Sequence, residues 1–467
     1  MMRLLSAILL GLAASLAAAI GCSPTSSFGG QREDRAGWVY VRLEGSPHDI
    51  GFQHGSAIAP EIDSMNKMIR VYLKESTGKD WAFYREASLK LFLPKLDRET
   101  RDELQGLSDG LKSKGYSYDL GDMIAHNAWI ELAWYYVPVV QAREKKTAVV
   151  SRAPAYCSAF VATGSQTADG QVVMGHNAWI DYVIGEHWNV ILDIHPRHGN
   201  RILMDAMPGF IHSGDDFAVN SAGILVTETT IAAARGFDEN GLPEFMRARK
   251  AVQYSNSLDD FARIMTSGNN GGYANTWLAA DTKTGEIGKL EMGLKNVIFR
   301  RSTDGAYYGS NYPEDPKLIA EDCDGDPTKG SNCCTDRKVR WAKLMEQTKG
   351  KVDAELGKTL LADHHDEVRG IDGACGSTIC GHLEVETRPG FLQPAWPYAG
   401  AAPAGAAQAK VVTTALARNM SFWARMGHPC GEPFYAAPFL KTHPEFGWQK
   451  PFLGDLPGQP WTLFAAR

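Results

Sequence analysis

The sequence predicts an α+β fold in which antiparallel sheets pack on one another and are covered by helices. Two observations support this prediction. Residues 45–140 carry apolar side chains at helical spacing, whereas the chain after residue 156 alternates short apolar runs with turn residues. Because each sheet and each helix has an apolar side to bury, many antiparallel strands with helices inserted between pairs favour a layered arrangement.

The N-terminal part begins with a strand and continues as helices. Residues 38–43 (WVYVRL) have strand composition. Ser46 followed by Pro47 is typical of a helix start, because serine caps the helix and proline suits its first turn. Two more helices are predicted over residues 97–114 and 119–136. An apolar stripe after the cap is formed by Ile58, Ile62, Met65, Ile69 and Leu73.

After residue 156 the pattern changes to hairpins. Residues 157–163 and 171–177 are predicted as two strands joined at Asp169-Gly170. Residues 243–265 are predicted as two short helices, and the Ala/Gly/Pro-rich residues 399–409 as a surface loop. The other predicted strands lie at 188–194 with 201–207, at 217–219 with 224–230, and in hairpin-like runs over 276–292 and 296–309.

Composition and charge limit the class of protein. The 467 residues suit one large domain or two average ones. The net charge is −6 and the pI is near 6.1, with no run rich in Lys or Arg. Such mild acidity offers no field for holding a polyanion, so nucleic acid is not expected as a partner.

The N-terminus predicts export. Arg3 precedes an apolar run over residues 4–20, which ends in small residues and gives way to a polar stretch. A membrane span is the rival interpretation, because the run approaches the length that crosses a bilayer. Residues 19–22 resemble the lipoprotein signal of bacteria, in which Cys22 would carry a lipid anchor; an unmodified Cys22 is the alternative. The expected location is the bacterial cell envelope (periplasm or outer-membrane lipoprotein) or the medium.

Eight cysteines are unevenly distributed, with six in the last third of the chain. In an oxidising compartment these six predict up to three disulfides, with fifteen pairings open. A zinc site is disfavoured because the spacings of Cys333-Cys334 and of Cys375 with Cys380 are wrong for paired ligands. His364-His365-Asp366 also lacks a third ligand at a recognisable spacing, so a solvated face is favoured there. Neither a metal nor a cofactor is expected.

Cys157 stands apart, at the start of a predicted strand after a loop-like segment ending in Tyr156. A cysteine there can attack the carbonyl carbon of Tyr156, form a thioester and let water release a new N-terminus. The freed α-amine has a reference pKa of ~7.7–8.0, so it can take the thiol proton near neutral pH. Tyr156 and Cys157 are therefore the predicted autoproteolysis site; an inert buried thiol is the alternative for Cys157.

Four motifs around Cys157 resemble those of the phospholipase B-like proteins. The resemblance covers residues 150–315 and, more loosely, 37–467. The motifs are Cys157-Ser-Ala-Phe-Val with Gly175-His176-Asn177-Ala178-Trp179, Pro208-Gly209 with Ser213-Gly-Asp-Asp-Phe217, Gly223-Ile-Leu-Val-Thr-Glu-Thr-Thr-Ile231, and the NNGGYANTW stretch at 269–277. Residues 45–55 (GSPHDIGFQHG) are similar to a segment of the penicillin acyltransferase-like group in the same clan of N-terminal-nucleophile hydrolases.

The resemblance implies a four-layer αββα sandwich with an N-terminal helical segment, cleaved before Cys157. The implied parts are a signal peptide (1–22), a flexible linker (23–36), a mostly helical N-terminal chain or pro-segment (37–156) and a catalytic core with a disulfide-rich C-terminal part (157–467). The two chains produced by self-cleavage are expected to remain associated. In more distant members of the clan, the motif after the nucleophile is commonly Arg-Asn-x-Asp. This chain has His176-Asn177-Ala178-Trp179 at that place instead.

Candidate roles follow for several residues. Asn275 is the candidate oxyanion donor, with a turn residue as the alternative. His176 is a candidate for orienting the α-amine of Cys157 or binding substrate, with a structural histidine as the alternative. Asn177, Trp179 and Thr229 are expected to contact substrate. Along a regular strand Asn177 and Trp179 share one face and His176 points to the other. For the pair Asp215 and Asp216 a structural role is favoured over a substrate contact.

One motif is set aside. Gly106-Leu-Ser108-Asp-Gly110 matches the Gly-x-Ser-x-Gly string of serine hydrolases, but that string works only at a strand–turn–helix elbow and here lies within a helical run.

Three functions remain in competition. The leading hypothesis is an exported Ntn cysteine hydrolase that cleaves an ester or amide bond of a small acylated or lipid substrate through a thioester. The second is an acyltransferase or amidase of the penicillin acyltransferase-like type, in which an amine accepts the acyl group. The third is a catalytically inactive exported binding protein. Fold and nucleophile alone do not select among substrates.

Overall fold

The computed structural model describes residues 30–151, 153, 157–214, 216–388 and 400–467. The strands in that part of the chain are β1 (Gln31–Arg35), β2 (Trp38–Gly45), β3 (Ser158–Thr163), β4 (Val173–Asp181), β5 (Val190–Pro196), β6 (Ile202–Ala206), β7 (Phe217–Asn220), β8 (Ile224–Thr230), β9 (Asn275–Asp281), β10 (Glu286–Met292), β11 (Val297–Ser302), β12 (Gly305–Gly309), β13 (His365–Asp366), β14 (Ile371–Asp372), β15 (Ala404–Thr413), β16 (Ser421–Met426) and β17 (Thr462–Ala465).

The α-helices of the same ranges are α1 (Pro47–Ala57), α2 (Ala59–Thr77), α3 (Trp81–Leu91), α4 (Arg98–Ser113), α5 (Leu120–Glu131), α6 (Val137–Lys145), α7 (Tyr182–Gly185), α8 (Glu244–Tyr254), α9 (Leu258–Thr266), α10 (Pro316–Asp322), α11 (Cys333–Gln347), α12 (Ala354–Leu361), α13 (Thr414–Arg418) and α14 (Ala436–Thr442). A π-helical turn, Leu132–Tyr136, joins α5 to α6.

Two large sheets form the centre of the molecule. One has nine strands in the order β1-β2-β5-β6-β7-β8-β9-β10-β11, and the other has six in the order β12-β3-β4-β15-β16-β17. Neighbouring strands are antiparallel except β2 and β5, which are parallel. The sheets pack face to face, since β3 contacts β8, β9 and β10, and β12 contacts β9 and β10.

Helices cover the outer side of both sheets. On the nine-stranded sheet α1 contacts β2 and β5, α8 contacts β7, and α9 contacts β9 and β10. On the six-stranded sheet α12 contacts β4 and β15, and α11 contacts β12. The order of layers is therefore helix, sheet, sheet, helix, and the predicted α+β αββα sandwich is confirmed.

The predicted helix starts are confirmed at the level of individual side chains. Ser46 accepts a hydrogen bond from the backbone N–H of Asp49 and forms a capping box with it. Asp97 caps α4 by accepting from the N–H of Thr100, and Asp119 forms a second capping box at the start of α5. The predicted stripe from Ile58 to Leu73 is fully buried, so the local pattern placed these helices correctly.

Three predicted segments differ in the structure. Residues 31–35 lie in the predicted linker but form the edge strand β1, paired with β2. Residues 296–309 do not form one hairpin, because β11 ends the nine-stranded sheet and β12 pairs with β3 in the other. Residues 399–409 were predicted as a surface loop, but from Ala404 onward they form the buried central strand β15. Small residues suit β15 because it lies between two neighbouring strands and beneath α12.

The predicted disulfides are not formed in this structure. The seven described cysteines are all free thiols. Even the adjacent Cys333 and Cys334 have sulfur atoms 3.8 Å apart, well beyond the S–S bond length of about 2.0 Å. Along the described ranges, no helix has both the length and the apolar composition needed to cross a bilayer.

Helices α1 and α4 cross with their backbones in contact. A Cβ atom on Gly51 would lie 1.9 Å from the carbonyl oxygen of Glu103, and one on Gly106 would lie 2.1 Å from that of His48. Ser108 is buried and donates to the carbonyl oxygen of Tyr118. The Gly-x-Ser-x-Gly string is thus a helix-packing surface, which confirms that it is not a nucleophile elbow.

We expect Gly106→Ala to lower the free energy of unfolding by about 1–3 kcal/mol, because the new methyl group must push α1 away. Gly447→Ala is the matched control, since nothing lies within 4 Å of its added Cβ. Denaturant or thermal unfolding of both variants measures the difference. Equal stabilities would show that the two helices are not in close contact.

Candidate active site

Cys157 lies immediately before β3 at the interface of the two sheets. Its side chain is 4% exposed. Its φ angle is +85°, in the left-handed region that non-glycine residues rarely adopt. The preceding residue Tyr156 and the acidic residue Asp215 lie outside the described residues. The predicted nucleophile therefore occupies a strained backbone position at the start of a central hairpin.

Four side chains converge at this position. Cys157, His176, Asp216 and Glu228 each offer one ligand-type atom, and these atoms all lie within 4.8 Å of one another. The Cys157 thiol lies 3.9 Å from Oε1 of Glu228. His176 comes from β4, Asp216 precedes β7, and Glu228 lies on β8. The structure thus unites the predicted pair Cys157 and His176 with two carboxylates from the opposite sheet.

The surroundings keep the thiol protonated in the intact chain. Burial raises the pKa of the Cys157 thiol well above its usual value, and the negative charges of Glu228 and Asp216 raise it further. The backbone N–H of Trp179 and the cation of Lys410 act in the opposite direction. A positive charge beside the sulfur is therefore needed to make it a nucleophile near neutral pH.

Lys410 joins this cluster through Asp216, although the sequence patterns did not single it out. It lies on β15 directly opposite His176 of β4. Its Nζ donates to Asp205 at 2.9 Å, to Asp216, and to Gln408 at 3.0 Å, and all these groups are buried. Burial opposes the charge on Lys410, but the carboxylates of Asp205 and Asp216 overcome this and raise its pKa.

The pKa values of the two carboxyl groups in this network shift in opposite directions. Burial raises the pKa of Asp205 well above its usual value. Burial also disfavours the ionised form of Asp216, but the positive charges of His176 and Lys410 outweigh this and lower its pKa. Because the two carboxyl groups share the Lys410 ammonium group, they titrate as a coupled pair in which ionisation is favoured at Asp216.

His176 is buried beside Asp216. Burial lowers its pKa to about 3, although nearby Asp216 partly offsets that effect. Its Nε2 lies 3.4 Å from Oδ1 of Asp216. The side chain faces the other sheet, whereas Asn177 and Trp179 of the same strand face Ile379 on the opposite side. This is the alternation predicted for a regular strand.

Arg337 fixes the backbone at Cys157. This buried residue of α11 donates to the carbonyl oxygen of Cys157, to Oγ of Ser158 at 2.9 Å and to Oδ1 of Asn311 at 2.9 Å. Its guanidinium lies 4.0 Å from the centre of the Trp179 ring. The planar guanidinium group of Arg337 therefore holds residues 157 and 158 in one orientation.

Polar side chains of α1 and α5 hydrogen-bond to the backbone of residues 208 and 209, in the segment that leads to Asp216. The N–H of Gly209 donates to Nε2 of His54 at 3.2 Å, and Nε2 of His126 lies 2.8 Å from the carbonyl oxygen of Pro208. Asn127 donates to the carbonyl oxygen of Gly209 at 3.0 Å. A Cβ on Gly209 would meet His126 at 3.1 Å, and its φ is +84°, so this position requires glycine.

Aromatic side chains adjoin the cluster. Oη of Tyr273 donates to Oε1 of Glu228 at 3.4 Å. The Tyr273 ring lies edge-on to Trp134, with ring centres 5.6 Å apart, and Tyr135 lies 6.3 Å away. Trp134 and Tyr135 belong to the π-helical turn, a distortion that is frequent at functional sites. These rings form an apolar wall beside Glu228.

The structure places the remaining predicted residues at different distances from this cluster. Asn275 begins β9 opposite Thr230, two positions along the ladder from Glu228. The hydroxyl of Thr229 lies against Gly309 of β12, in the packing between the sheets.

Asn177 donates to the carbonyl oxygens of Leu361 and Ile379 at 2.8 and 3.1 Å. The Trp179 indole donates to the carbonyl oxygen of Ile379 at 3.3 Å.

The side chains of Cys157, His176, Asp216 and Glu228 are also potential metal ligands. Lys410 already supplies a fixed positive charge to Asp216, and a metal ion would have to compete with it. The absence of a catalytic metal therefore stays a prediction of the sequence.

Comparisons with known proteins place this site in context. The phospholipase B family model matches residues 109–355, more than half of the chain. An uncharacterized protein of Archaeoglobus fulgidus is 29% identical over 302 residues, which cover 60% of this chain and 46% of that protein. Phospholipase B-like 1 of Homo sapiens is 26% identical over 137 residues, which cover 27% of this chain and 25% of that protein. The matched regions thus span less than half the length of these relatives.

Two solved structures show weak overall similarity. A mutant of conjugated bile acid hydrolase from Clostridium perfringens matches with a TM-score of 0.35 and 9% identity, covering 58% of this chain and 89% of that one. Penicillin V acylase from Agrobacterium tumefaciens matches with a TM-score of 0.32 and 11% identity, covering 58% and 83%.

We expect Lys410→Met to lower the free energy of unfolding by about 3–5 kcal/mol, because it removes the cation that pairs with two buried carboxylates. Lys343→Met is the matched control, since Lys343 forms only an exposed pair with Glu346. That change should alter stability by no more than about 0.5 kcal/mol. Denaturant unfolding measures both, and equal small effects would contradict the buried network.

Removing the negative charge of Glu228 should make the Cys157 thiol a stronger acid. We expect Glu228→Gln to lower the pKa of the Cys157 thiol, because one of the two carboxylates that raise it is gone. The measurement is the pH profile of iodoacetamide labelling at residue 157, read by peptide mass spectrometry, which reports intact and cleaved chains separately. Glu355→Gln, at an exposed position of α12, should leave the profile unchanged. A wild-type profile for Glu228→Gln would place the carboxylate away from the sulfur.

Proposed function

Because this chain belongs to the phospholipase B family, we propose that it is a cysteine hydrolase that cleaves an ester or amide bond of an acylated substrate. The Cys157 thiol is the nucleophile. The observation that carries the proposal is the convergence of Cys157 with His176, Asp216 and Glu228 within 4.8 Å, at the start of a strand. Buried, titratable groups that perturb one another in this way are typical of catalytic sites.

The enzyme activates itself by cleaving its own chain before Cys157. The thiol adds to the carbonyl carbon of Tyr156, a C–S bond forms, and the C–N bond between residues 156 and 157 breaks. Glu228, 3.9 Å from the sulfur, takes the thiol proton and passes it to the departing nitrogen, which becomes the α-amine of Cys157. Water then hydrolyses the thioester, which restores the thiol and leaves a carboxylate on Tyr156.

Two features support this step. The left-handed φ of Cys157 costs of order 1–3 kcal/mol for a residue with a side chain, and cleavage at this residue releases that strain. Arg337 holds the carbonyl oxygen of Cys157, so the downstream chain stays in place while the upstream bond breaks. The new α-amine is then confined next to its own thiol.

The mature residue supplies both nucleophile and base. The α-amine, with a reference pKa of ~7.7–8.0, takes the thiol proton, and its positive charge offsets the carboxylates that raise the thiol pKa. The thiolate adds to the substrate carbonyl, the ammonium protonates the leaving alcohol or amine, and an acyl-thioester remains. Water, deprotonated by the same amine, releases the acid and regenerates the thiol.

Donors for the developing oxyanion are available in two places. The backbone N–H of Trp179 favours the charged form of the Cys157 thiol, and Asn275 begins the strand next to the one that carries Glu228. Losing one such donor typically costs about 2.7–4 kcal/mol of transition-state stabilisation. Ionised Asp216, held by Lys410, attracts the ammonium form of the α-amine and keeps it beside the thiol.

The aromatic wall suits an acyl chain. Trp134, Tyr135 and Tyr273 present apolar rings with one polar end beside Glu228, and ligand sites commonly combine such surfaces with a few polar groups. The proposed substrate is therefore a small acylated molecule or lipid, and its ester or amide bond would lie near Cys157.

We also propose that the protein is exported and that its two chains stay together. The export signal over residues 4–20 and the lipidation site at Cys22 lie outside the described residues. Association is supported by β2, which pairs with β5 inside the nine-stranded sheet, and by α5, which packs on α8. Separating residues 37–156 from the remainder would expose this shared core.

N-terminal sequencing and hydrolysis assays test the proposal. Wild-type protein should yield a second N-terminus reading Cys-Ser-Ala-Phe and should hydrolyse model acyl esters or N-acyl amides. Cys157→Ala should remain one chain and lose at least about a thousandfold in rate. Cys375→Ser, outside the site, should behave as wild type. Full activity with an uncut chain, or with Cys157→Ala, would overturn the proposal.

A further inference from the structure

A second group of metal-ligand side chains lies beyond the active site, on the outer side of β4. It consists of His364, Cys380, His382 and Cys430, which each offer one ligand atom, and these atoms all lie within 4.8 Å of one another. Nε2 of His382 is 3.3 Å from the Cys380 sulfur and 3.5 Å from the Cys430 sulfur. Three separate segments of the chain therefore meet at one point.

The donor set and the separations suit zinc. Two thiolates and two imidazoles form a common structural zinc site, with bond lengths near 2.3 Å to sulfur and 2.0–2.1 Å to nitrogen. A tetrahedron with those bonds separates its ligand atoms by about 3.3–3.8 Å. Both measured sulfur–nitrogen distances fall in that range. His364 also has a buried ring nitrogen, Nε2, without a hydrogen-bond partner in the described part of the molecule.

A carboxylate orients the central ligand. Nδ1 of His382 lies 2.9 Å from Oε1 of Glu384, which leaves Nε2 directed at the two sulfurs. Glu384 is itself held by the hydroxyl of Tyr182 at 2.6 Å. Histidines that bind zinc almost always make this type of contact through their other nitrogen, because it sets the tautomer and the ring orientation.

We propose that His364, Cys380, His382 and Cys430 bind one Zn²⁺ ion. Four protein ligands leave no open position, so the ion has a structural role. It joins the segment after α12, the segment around Cys380 and the turn after β16.

The proposed ion would also support the active-site strand from behind. Gly381, between two ligands, lies so close to the Trp179 indole that a Cβ would meet it at 2.0 Å. The neighbouring carbonyl oxygen of Ile379 accepts from Asn177 and Trp179. The face of β4 opposite His176 therefore rests on the segment that the ion would anchor.

A disulfide between Cys380 and Cys430 is the competing arrangement, and an oxidising compartment would permit it. A disulfide, however, needs neither histidine. The Glu384-oriented ring of His382, aimed at both sulfurs, favours a shared metal ion.

Metal analysis of the full-length protein, purified without chelator, tests the proposal. We expect about one zinc per chain and a zinc X-ray absorption spectrum with two sulfur and two nitrogen neighbours, at about 2.3 and 2.0–2.1 Å. Cys430→Ser and His382→Gln should lose the zinc, whereas Cys375→Ser, on the same segment but outside the ligand set, should keep it. The absorption spectrum requires no variant and stands even where substitutions impair folding.

Two results would overturn the proposal. One is wild-type protein that contains no zinc and binds none when incubated with Zn²⁺ after mild reduction. The other is a Cys380–Cys430 linked peptide as the main species under non-reducing conditions. Neither result depends on catalytic activity, so this test is separate from that of the proposed hydrolase.

Discussion

The buried ion pair between Lys410 and Asp216 connects the two central sheets at the site around Cys157. Lys410 lies on β15 of the six-stranded sheet, Asp205 lies on β6 of the nine-stranded sheet, and Asp216 immediately precedes β7 of that sheet, so the charges join the two sheets. Buried charges are costly unless they are paired. The pairing therefore holds β15 against the nine-stranded sheet. Because β15 is hydrogen-bonded to β4, it also limits the distance from His176 to Asp216. The charges of this network also shift the pKa of the Cys157 thiol, which Asp216 raises and Lys410 lowers.

The motifs that carry the family resemblance lie in two kinds of position in the structure. Some contribute side chains to the cluster around Cys157, and others hold the neighbouring backbone in place. Cys157, His176 and Glu228 meet at the site. His54, by contrast, belongs to the 45–55 segment that is similar to the penicillin acyltransferase-like group, and it accepts a hydrogen bond from Gly209, at the start of the segment that ends at Asp216. Motifs far apart in the chain are thus parts of one structure, in which helices from the N-terminal segment position a carboxylate for the core. This dependence also explains why the two segments share one hydrophobic core.

Local patterns predicted the local structure well, because caps, apolar stripes and turn residues act within a few positions. The start of α1, the hairpin that carries Cys157 and His176, and the helical setting of Ser108 follow from such patterns. What depends on distant partners was missed. Lys410 lies among small and apolar residues, and only its contact with Asp205 and Asp216 reveals a role. Likewise, disulfides were predicted for the six C-terminal cysteines with their pairing open, because spacing along the chain does not show that His364 and His382 lie close to Cys380 and Cys430.

The central claim is that one residue at a newly formed N-terminus carries the acyl group during turnover. The most direct measurement is mass spectrometry of protein quenched in acid during hydrolysis of an activated acyl ester. The account predicts that the chain beginning at residue 157 gains the mass of the acyl group, located on the Cys157 sulfur, sensitive to hydroxylamine, with the α-amine free. Undiminished turnover without an acyl group at residue 157, or with the acyl group on another residue, would contradict it.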